Sequence, residues 1–172
     1  MSEAGAQPEA PPRSAPGSPP SPRVRVATLA DTGPVAAAIE LLLVELGGER
    51  PARAELEAAT RELIEDPRSG ALLVAETDGE IVGVCAASWQ HALHVPGRYG
   101  TVQDLWVDPS WRSRAIGREL LEALFALARE QGIPRIEVGL PQDSFAAIEA
   151  TRSFYLANGF APLGPRMRWL LR

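Results

Sequence analysis

The sequence predicts an α/β fold in which a mixed sheet carries helices on both of its faces. Two observations predict it. Segments with strand character dominate the first part of the chain, whereas strand–helix units dominate the last third. This combination is typical of a mixed sheet covered by helices. With 172 residues, 45% of them hydrophobic, the chain is long enough to bury a core in one domain.

The first half of the predicted fold is one strand, two helices and a hairpin. Asp31 offers an N-cap for the first helix, and Gly47 offers its C-terminal end. Pro67 ends the second helix. The dipeptide of Asp78 and Gly79, between two apolar runs, predicts a tight hairpin turn. The predicted elements are a strand at 23–29, helices at 35–46 and 52–66, and strands at 71–77 and 80–89.

The second half consists of strand–helix units followed by two short strands. Apolar residues at helical spacing begin after Ala115 and end before Gly132, and Gly159 offers the C-terminal end of the last helix. The order β-α-α-β-β-β-α-β-α-β-β gives a sheet of six to seven strands. The predicted elements are a strand at 99–107, a helix at 115–131, a strand at 135–140, a helix at 144–158, and strands at 160–163 and 166–171.

The N-terminal segment differs in composition from the rest of the chain. Residues 1–22 contain seven prolines and, apart from Met1, no aliphatic side chain larger than alanine. Such a segment buries too little surface to offset the entropy lost on ordering. We therefore expect a disordered tail at 1–22 and one folded domain at 23–172.

Composition excludes several classes of function. A net charge of −5 argues against nucleic-acid binding, which needs a basic face. No apolar run approaches the length of a membrane span, and the first residues lack the apolar core of a signal peptide, so we expect a cytoplasmic protein. With Cys85, His91 and His94 as the only cysteine and histidines, neither an internal disulfide nor a metal site is expected.

The stretch WRSRAIGREL places Arg112, Arg114 and Arg118 at a helix start, where acidic residues are favoured. A strand, a tight loop and a helix N-terminus present free backbone N–H groups to an anion. Arginines beside those groups become favourable when a pyrophosphate lies there, because guanidinium groups pair with phosphate oxygens. The alternative is that they are solvated surface residues. The chain has no lysine for a P-loop and no Gly-x-Gly-x-x-Gly loop, so both of these phosphate-binding motifs are excluded.

The segment LWVDPSWRSRAIGRELL resembles the acetyl-CoA-binding motif of the GNAT superfamily of N-acetyltransferases. RSFYLANGF resembles the C-terminal signature of that family, and VRVATLADTGPVAAAIELL resembles its first strand and helix. The resemblance covers about residues 23–172. It implies a mostly antiparallel sheet whose strands 4 and 5 splay apart to admit CoA, and acetyl-CoA as co-substrate without a metal.

The resemblance also implies roles for individual residues. The backbone of the strand end pairs with the pantetheine arm, the following loop wraps the pyrophosphate, and Tyr155 protonates the departing CoA thiolate. Arg112 and Arg118 are the side chains expected to contact phosphate. Ala115 stands where glycine is usual, and Ile148 where asparagine is frequent. The implied cofactor-binding residues are Leu105, Trp106, Val107, Arg112, Ser113, Arg114, Ala115, Ile116, Gly117 and Arg118.

The reaction that the resemblance implies is direct attack of a neutral amine, from a small molecule or a peptide, on the acetyl thioester. Asp104 is open to three interpretations: it binds a cationic acceptor, it deprotonates the acceptor, or it is a structural carboxylate. Strand alternation predicts that Asp104 shares a face with Val102 and Trp106 and lies opposite Leu105 and Val107.

Alternatives to this reaction remain open from the sequence. The first is a non-catalytic acyl-CoA-binding module that keeps the fold as a sensor. The second is an enzyme that uses another acyl-CoA or acylates a hydroxyl group. His91 and His94 rim the acceptor site or lie on the surface, and Cys85 is expected to be a buried small side chain. A homodimer through the last strands is possible by analogy with the family.

Overall fold

The computed structural model describes residues 22–93 and 95–164. The predicted tail, except for Pro22, and the predicted strand at 166–171 lie outside the described residues. The described strands are β1 (Arg23–Val26), β2 (Gly70–Thr77), β3 (Glu80–Ala92), β4 (Val95–Val107) and β5 (Ile136–Val138). The helices are α1 (Thr32–Leu46), α2 (Arg53–Glu65), α3 (Ile116–Glu130) and α4 (Ile148–Ala157). Short 3-10 turns occupy Leu29–Asp31 and Pro109–Trp111.

The strands form one mixed sheet in the order β1-β2-β3-β4-β5. The first four strands are antiparallel, and β5 runs parallel to β4. A mixed, mostly antiparallel sheet is thus confirmed, but within the described residues it has five strands rather than six to seven. Residues 160–163 do not form the predicted strand, and Pro162 has no N–H to donate to a sheet there.

The last helix also differs from its prediction. It begins at Ile148 rather than at residue 144. The residues before it form successive turns, in which the N–H of Phe145 donates to the oxygen of Gln142 and that of Ile148 to the oxygen of Phe145. Within the described residues, no helix is long and apolar enough to cross a membrane.

Two apolar clusters, one on each face of the sheet, hold the helices in place. One joins β2, β3 and β4 to α3 and includes Leu120, Leu124 and Tyr155. The other packs α1 onto the same strands and includes Val35 and Trp106. The expected helices on both faces are therefore confirmed. We call these the α3 face and the α1 face of the sheet.

A β-bulge in β4 changes which residues share a face. In the pairing with β3, Ala86 lies opposite Asp104, but the next pair is Ala87 with Val102, so Gln103 is an extra residue. Val102 therefore belongs to the α3-face cluster, whereas Trp106 and the partner of Asp104, Ala86, belong to the α1-face cluster. The prediction that Asp104 shares a face with Val102 is wrong, because an unpaired residue resets the alternation.

A three-residue charge network joins β1 to the start of α1. The guanidinium of Arg25 donates to both carboxylate oxygens of Asp31 at 2.7 and 2.9 Å, and its Nε donates to Glu76 at 2.8 Å. The backbone N–H of Thr28 also donates to Asp31, at 2.6 Å. The hydrogen bonds from Arg25 lower the pKa of Asp31 from 3.8 to about 2. Asp31 is only 6% exposed, so solvent screens this network weakly.

The Asp31→Asn variant tests this network. Since the folded-state pKa lies below the unfolded value, the network stabilises the fold above about pH 4 and loses that contribution as the pH falls towards 2. Urea unfolding at pH 7 is expected to show a loss of about 2 kcal/mol in the variant. The difference from wild type should shrink below pH 4.

The matched control is Asp143→Asn, whose carboxylate is exposed and forms a long ion pair with Arg152. Its stability is expected to stay within about 0.5 kcal/mol of wild type. A difference between Asp31→Asn and wild type that stayed constant down to pH 2.5 would contradict the assigned network.

Candidate functional site

The connection from β4 to α3 forms a concave backbone surface. Asp108 fixes its start by accepting a hydrogen bond from the N–H of Ser110 at 2.8 Å. Ser113 and Ala115 then adopt positive φ angles of 62° and 65°. Alternation of left-handed residues with ordinary ones turns successive N–H groups towards one point, which suits an anion.

The N-terminus of α3 leaves donors without protein partners. No side chain caps it within the described residues, and its first helical hydrogen bond runs from the N–H of Glu119 to the oxygen of Ala115. The N–H groups of Ile116, Gly117 and Arg118 therefore have no acceptor inside the helix. Together with the helix dipole they favour a bound anion.

The left-handed backbone of Ala115 is strained. For a residue with a Cβ atom this conformation costs roughly 1–2 kcal/mol. Ser113 carries the same kind of cost in the same short loop. Strain of this kind persists where the surrounding structure enforces it, and it is concentrated at ligand-binding and catalytic sites.

The three arginines surround this loop, and each has a partner within the described residues. Arg112 donates through Nε to the oxygen of Val107 at 2.9 Å and pairs with Glu45 of α1 at 2.6 Å. The guanidinium of Arg114 lies 4.7 Å from the ring centre of Trp111. Arg118 forms an exposed pair with Glu122, which is worth little because solvent screens it. Phosphate contacts by Arg112 and Arg118 stay a prediction.

One edge of β4 is open beside this loop. The pairing with β5 covers only Gly100, Thr101 and Val102, and within the described residues no strand continues it beyond the bulge. The N–H of Asp108 donates to the oxygen of Val82 in β3. Because neighbouring residues of a strand direct their backbone groups to opposite sides, the backbone groups of residues 105 and 107 face the open edge.

Trp106 is placed differently from its two neighbours. Its backbone faces β3 by the same alternation, and its side chain is only 4% exposed in the α1-face cluster. Its indole N–H has no hydrogen-bond partner in the described part of the chain. Of the three residues predicted to line the cofactor, Leu105 and Val107 have backbone groups at the open edge and Trp106 does not.

Tyr155 lies where α4 meets α3. Its ring packs edge-on against Phe154 and Phe160, with ring centres 5.2 Å apart in both pairs. Gly117, in the first turn of α3, makes this approach possible, because a Cβ there would lie 3.2 Å from the ring of Phe154. The absence of a side chain at Gly117 thus brings the N-terminus of α3 next to the helix that carries Tyr155.

The protonation states of three neighbouring groups are linked. Burial raises the pKa of Tyr155 well above its ordinary value, and the charges of Cys85 and Asp104 raise it further. Burial also raises the pKa of Asp104. It raises the pKa of the Cys85 thiol to about 12, with a smaller contribution from Asp104. At neutral pH Tyr155 therefore keeps its proton, and Cys85 is an unreactive thiol.

Cys85 and the two histidines are the remaining candidate residues from the sequence. Cys85 is fully buried, as expected. His91 is exposed on β3, and His94 lies outside the described residues. Sequence reasoning missed Glu45, whose pairing with Arg112 joins residues 67 positions apart. No local pattern signals such a contact, since it depends on how α1 lies across the sheet.

Comparison with known proteins assigns the family. The profile of the Acetyltransferase (GNAT) family matches residues 36–160, well over half of the chain. The chain belongs to the GNAT family of acetyltransferases. The match spans α1 to α4 and so includes the β4–α3 loop and Tyr155.

Individual relatives share limited sequence identity with this chain. An IAA acetyltransferase from Azospirillum brasilense is 36% identical over 95 residues, which are 54% of this chain and 60% of that protein. The chain thus spans less than two thirds of this curated relative. A possible acetyltransferase from Clostridium difficile 630 superposes with a TM-score of 0.74 at 16% identity, over 89% of this chain and 99% of its own.

A further solved structure contains acetyl-CoA. The predicted acetyltransferase with acetyl-CoA from Clostridium acetobutylicum superposes with a TM-score of 0.72 at 19% identity, over 87% of this chain and 96% of that chain. At these identities the two structural neighbours support the fold alone. The family as a whole uses acetyl-CoA.

The Ala115→Gly variant tests whether the loop is strained. Glycine adopts positive φ without the steric cost, which outweighs the entropy that it adds to the unfolded chain. We expect the free energy of unfolding to rise by about 1 kcal/mol in urea titrations.

The matched control is Ala126→Gly, at an exposed position inside α3. Here glycine weakens a regular helix, so a loss of about 1 kcal/mol is expected. Equal destabilisation by both substitutions would show that Ala115 is not strained.

Proposed function

We propose that this protein is an N-acetyltransferase that moves the acetyl group of acetyl-CoA to a primary amine. The observation that carries the proposal is the juxtaposition of three features: the uncapped N-terminus of α3, the open edge of β4 and the protonated Tyr155. The α3 N-terminus suits an anion, the open edge of β4 suits an extended amide chain, and Tyr155 can protonate a departing thiolate.

The pyrophosphate of acetyl-CoA would bind the N–H groups of the loop from Arg112 to Gly117. Arg112 and Arg118 would exchange Glu45 and Glu122 for phosphate oxygens, to which a guanidinium donates charge-assisted and often bidentate hydrogen bonds. The amide groups of the pantetheine arm would pair with the open edge at Leu105 and Val107, as an added strand does. This pairing would require β4 and β5 to stay apart beyond Val102.

Transfer then proceeds by direct attack. The neutral amine nitrogen forms a bond to the acetyl carbonyl carbon, and the oxyanion meets a backbone N–H near Val107. The C–S bond breaks, and Tyr155 gives its proton to the sulfur. Asp104 accepts the proton that the amine loses. The unreactive Cys85 supports direct transfer over an acyl-cysteine intermediate.

The acceptor must reach the site as a free amine. An alkylamine with a pKa of about 10 is protonated at pH 7, and its deprotonation costs about 4 kcal/mol. The raised pKa of Asp104 makes it a better proton acceptor than an ordinary carboxylate. We therefore propose that Asp104 acts as the base, in a cytoplasmic protein whose acceptor is a small molecule or a peptide.

The Tyr155→Phe variant is expected to lower kcat by about 100-fold or more, because the thiolate must leave without a proton donor. The KM for acetyl-CoA should stay within about threefold, since the hydroxyl acts after binding. Release of the CoA thiol with a panel of amines measures both constants. Cys85→Ala is the control, with kcat expected within about twofold of wild type.

The roles of Tyr155 and Asp104 are distinguished by the pH profile. In wild type, kcat/KM should rise with pH through the raised pKa of Asp104. In Asp104→Asn this rise of kcat/KM with pH is expected to disappear, whereas Tyr155→Phe should retain it. Tight binding of acetyl-CoA without turnover of any amine would instead indicate a non-catalytic acyl-CoA-binding module.

A further inference from the structure

Four uncharged side chains form a continuous hydrogen-bonded row on the outer half of β3 and β4. The hydroxyl of Tyr99 donates to the amide oxygen of Gln90 at 2.9 Å, and the amide nitrogen of Gln90 donates to the hydroxyl oxygen of Ser88 at 2.9 Å. The amide nitrogen of Gln103 donates to the same Ser88 oxygen at 2.7 Å. We call Ser88, Gln90, Tyr99 and Gln103 the polar row.

The polar row lies on the α1 face, just beyond the region that the helix covers. Ala86 belongs to the α1-face apolar cluster, and Ser88 follows it on the same face of β3, because side chains alternate along a strand. Ala86 is paired with Asp104. Two residues of a strand span roughly 7 Å, so Ser88 lies about that distance along β3 from the partner of the proposed base, and Gln103 is the neighbour of Asp104 in β4.

The polar row keeps hydrogen-bonding groups that can meet a ligand. Ser88 already accepts two hydrogen bonds, so its hydroxyl hydrogen can be donated outwards. Gln103 is exposed, and its amide oxygen accepts no hydrogen bond within the described residues. The amide nitrogens of Gln90 and Gln103 each keep a second N–H as well, so the row offers several donors and acceptors, none of them charged.

Thr101 supplies an independent observation. It lies directly opposite Ser88 in the pairing of β3 with β4 and is only 1% exposed. Its hydroxyl oxygen has no hydrogen-bond partner in the part of the chain that the structure describes. A buried polar group without a partner destabilises the fold, and an acceptor hydroxyl that displaced the side chains covering Thr101 would supply that partner.

We propose that the polar row and Thr101 form the subsite that selects the acceptor, and that the acceptor is a polyhydroxylated amine. This inference rests on the proposed acetyl transfer. A hydroxyl group both donates and accepts hydrogen bonds, so it matches each end of the row. The pair next along the strands, His91 and Arg98, lies on the opposite face by alternation, so the row itself presents no partner for a carboxylate or phosphate on the acceptor.

The experiment compares two six-membered-ring amines, glucosamine and cyclohexylamine, together with the peptide Ala-Ala-Ala. The full chain is assayed with saturating acetyl-CoA by release of the CoA thiol. For each acceptor, kcat/KM of a variant is divided by that of wild type, so that the different pKa values of the amines cancel. The variants are Ser88→Ala and Thr101→Val, with Gln131→Leu at the end of α3 as the matched control.

We expect Ser88→Ala and Thr101→Val each to lower kcat/KM for glucosamine by about tenfold, because each loses a hydrogen bond to the acceptor. The values for cyclohexylamine and the KM for acetyl-CoA should stay within about threefold. Thr101→Val is also expected to raise the melting temperature, since it removes an unpaired buried hydroxyl. A merely structural role would not combine greater stability with a loss confined to the hydroxylated acceptor.

Several outcomes would overturn the inference. Equal losses for glucosamine and cyclohexylamine would do so, as would transfer confined to cyclohexylamine or to the peptide. Binding of acetyl-CoA without transfer to any of the three amines would also overturn it and would favour the non-catalytic module. Failure of acetyl-CoA to bind wild type would contradict the proposed function itself, and calorimetric titration distinguishes that result from the others.

Discussion

The left-handed backbone of Ser113 and Ala115 is the constraint on which the rest of the site depends. Two residues with side chains hold a conformation that favours glycine, and α3 then begins without a capping side chain. Gly117 lets this uncapped end pack onto Phe154 of α4. The same few residues thus create a backbone surface that suits an anion and fix its distance from Tyr155.

The β-bulge at Gln103 separates two parts of β4, one with an open backbone edge and one with uncharged polar side chains. Beyond the bulge, the backbone of β4 has an open edge, which suits a long amide-containing arm. Just before it, Gly100, Thr101 and Val102 are paired on both sides, and the α1 face of β4 carries uncharged polar groups. Asp104 lies between the polar row and the open edge of β4. In the proposed reaction the amine would reach it from the polar row, and the thioester would lie along the open edge.

Local sequence patterns were sufficient for most of the fold. Helical spacing, capping residues and the Asp78-Gly79 turn predicted α1, α2, α3 and the β2–β3 hairpin, because these depend on interactions close in sequence. The extra residue at Gln103 has no such signal, so alternation assigned Val102 to the wrong face. The pairing of Arg112 with Glu45 likewise arises only from the packing of α1. The positive φ of Ala115 has no local signal either, because alanine does not favour that conformation.

Amide hydrogen exchange of the full chain, with and without saturating acetyl-CoA, tests the central claim most directly. If the co-substrate binds the α3 N-terminus and the open edge of β4, peptides covering residues 103–107 and 112–118 should exchange at least about tenfold more slowly in its presence. Peptides from α2, which packs on the α1 face of the sheet and not beside the N-terminus of α3, should be unchanged. Saturable binding that left exchange in both site segments unaltered would contradict the account.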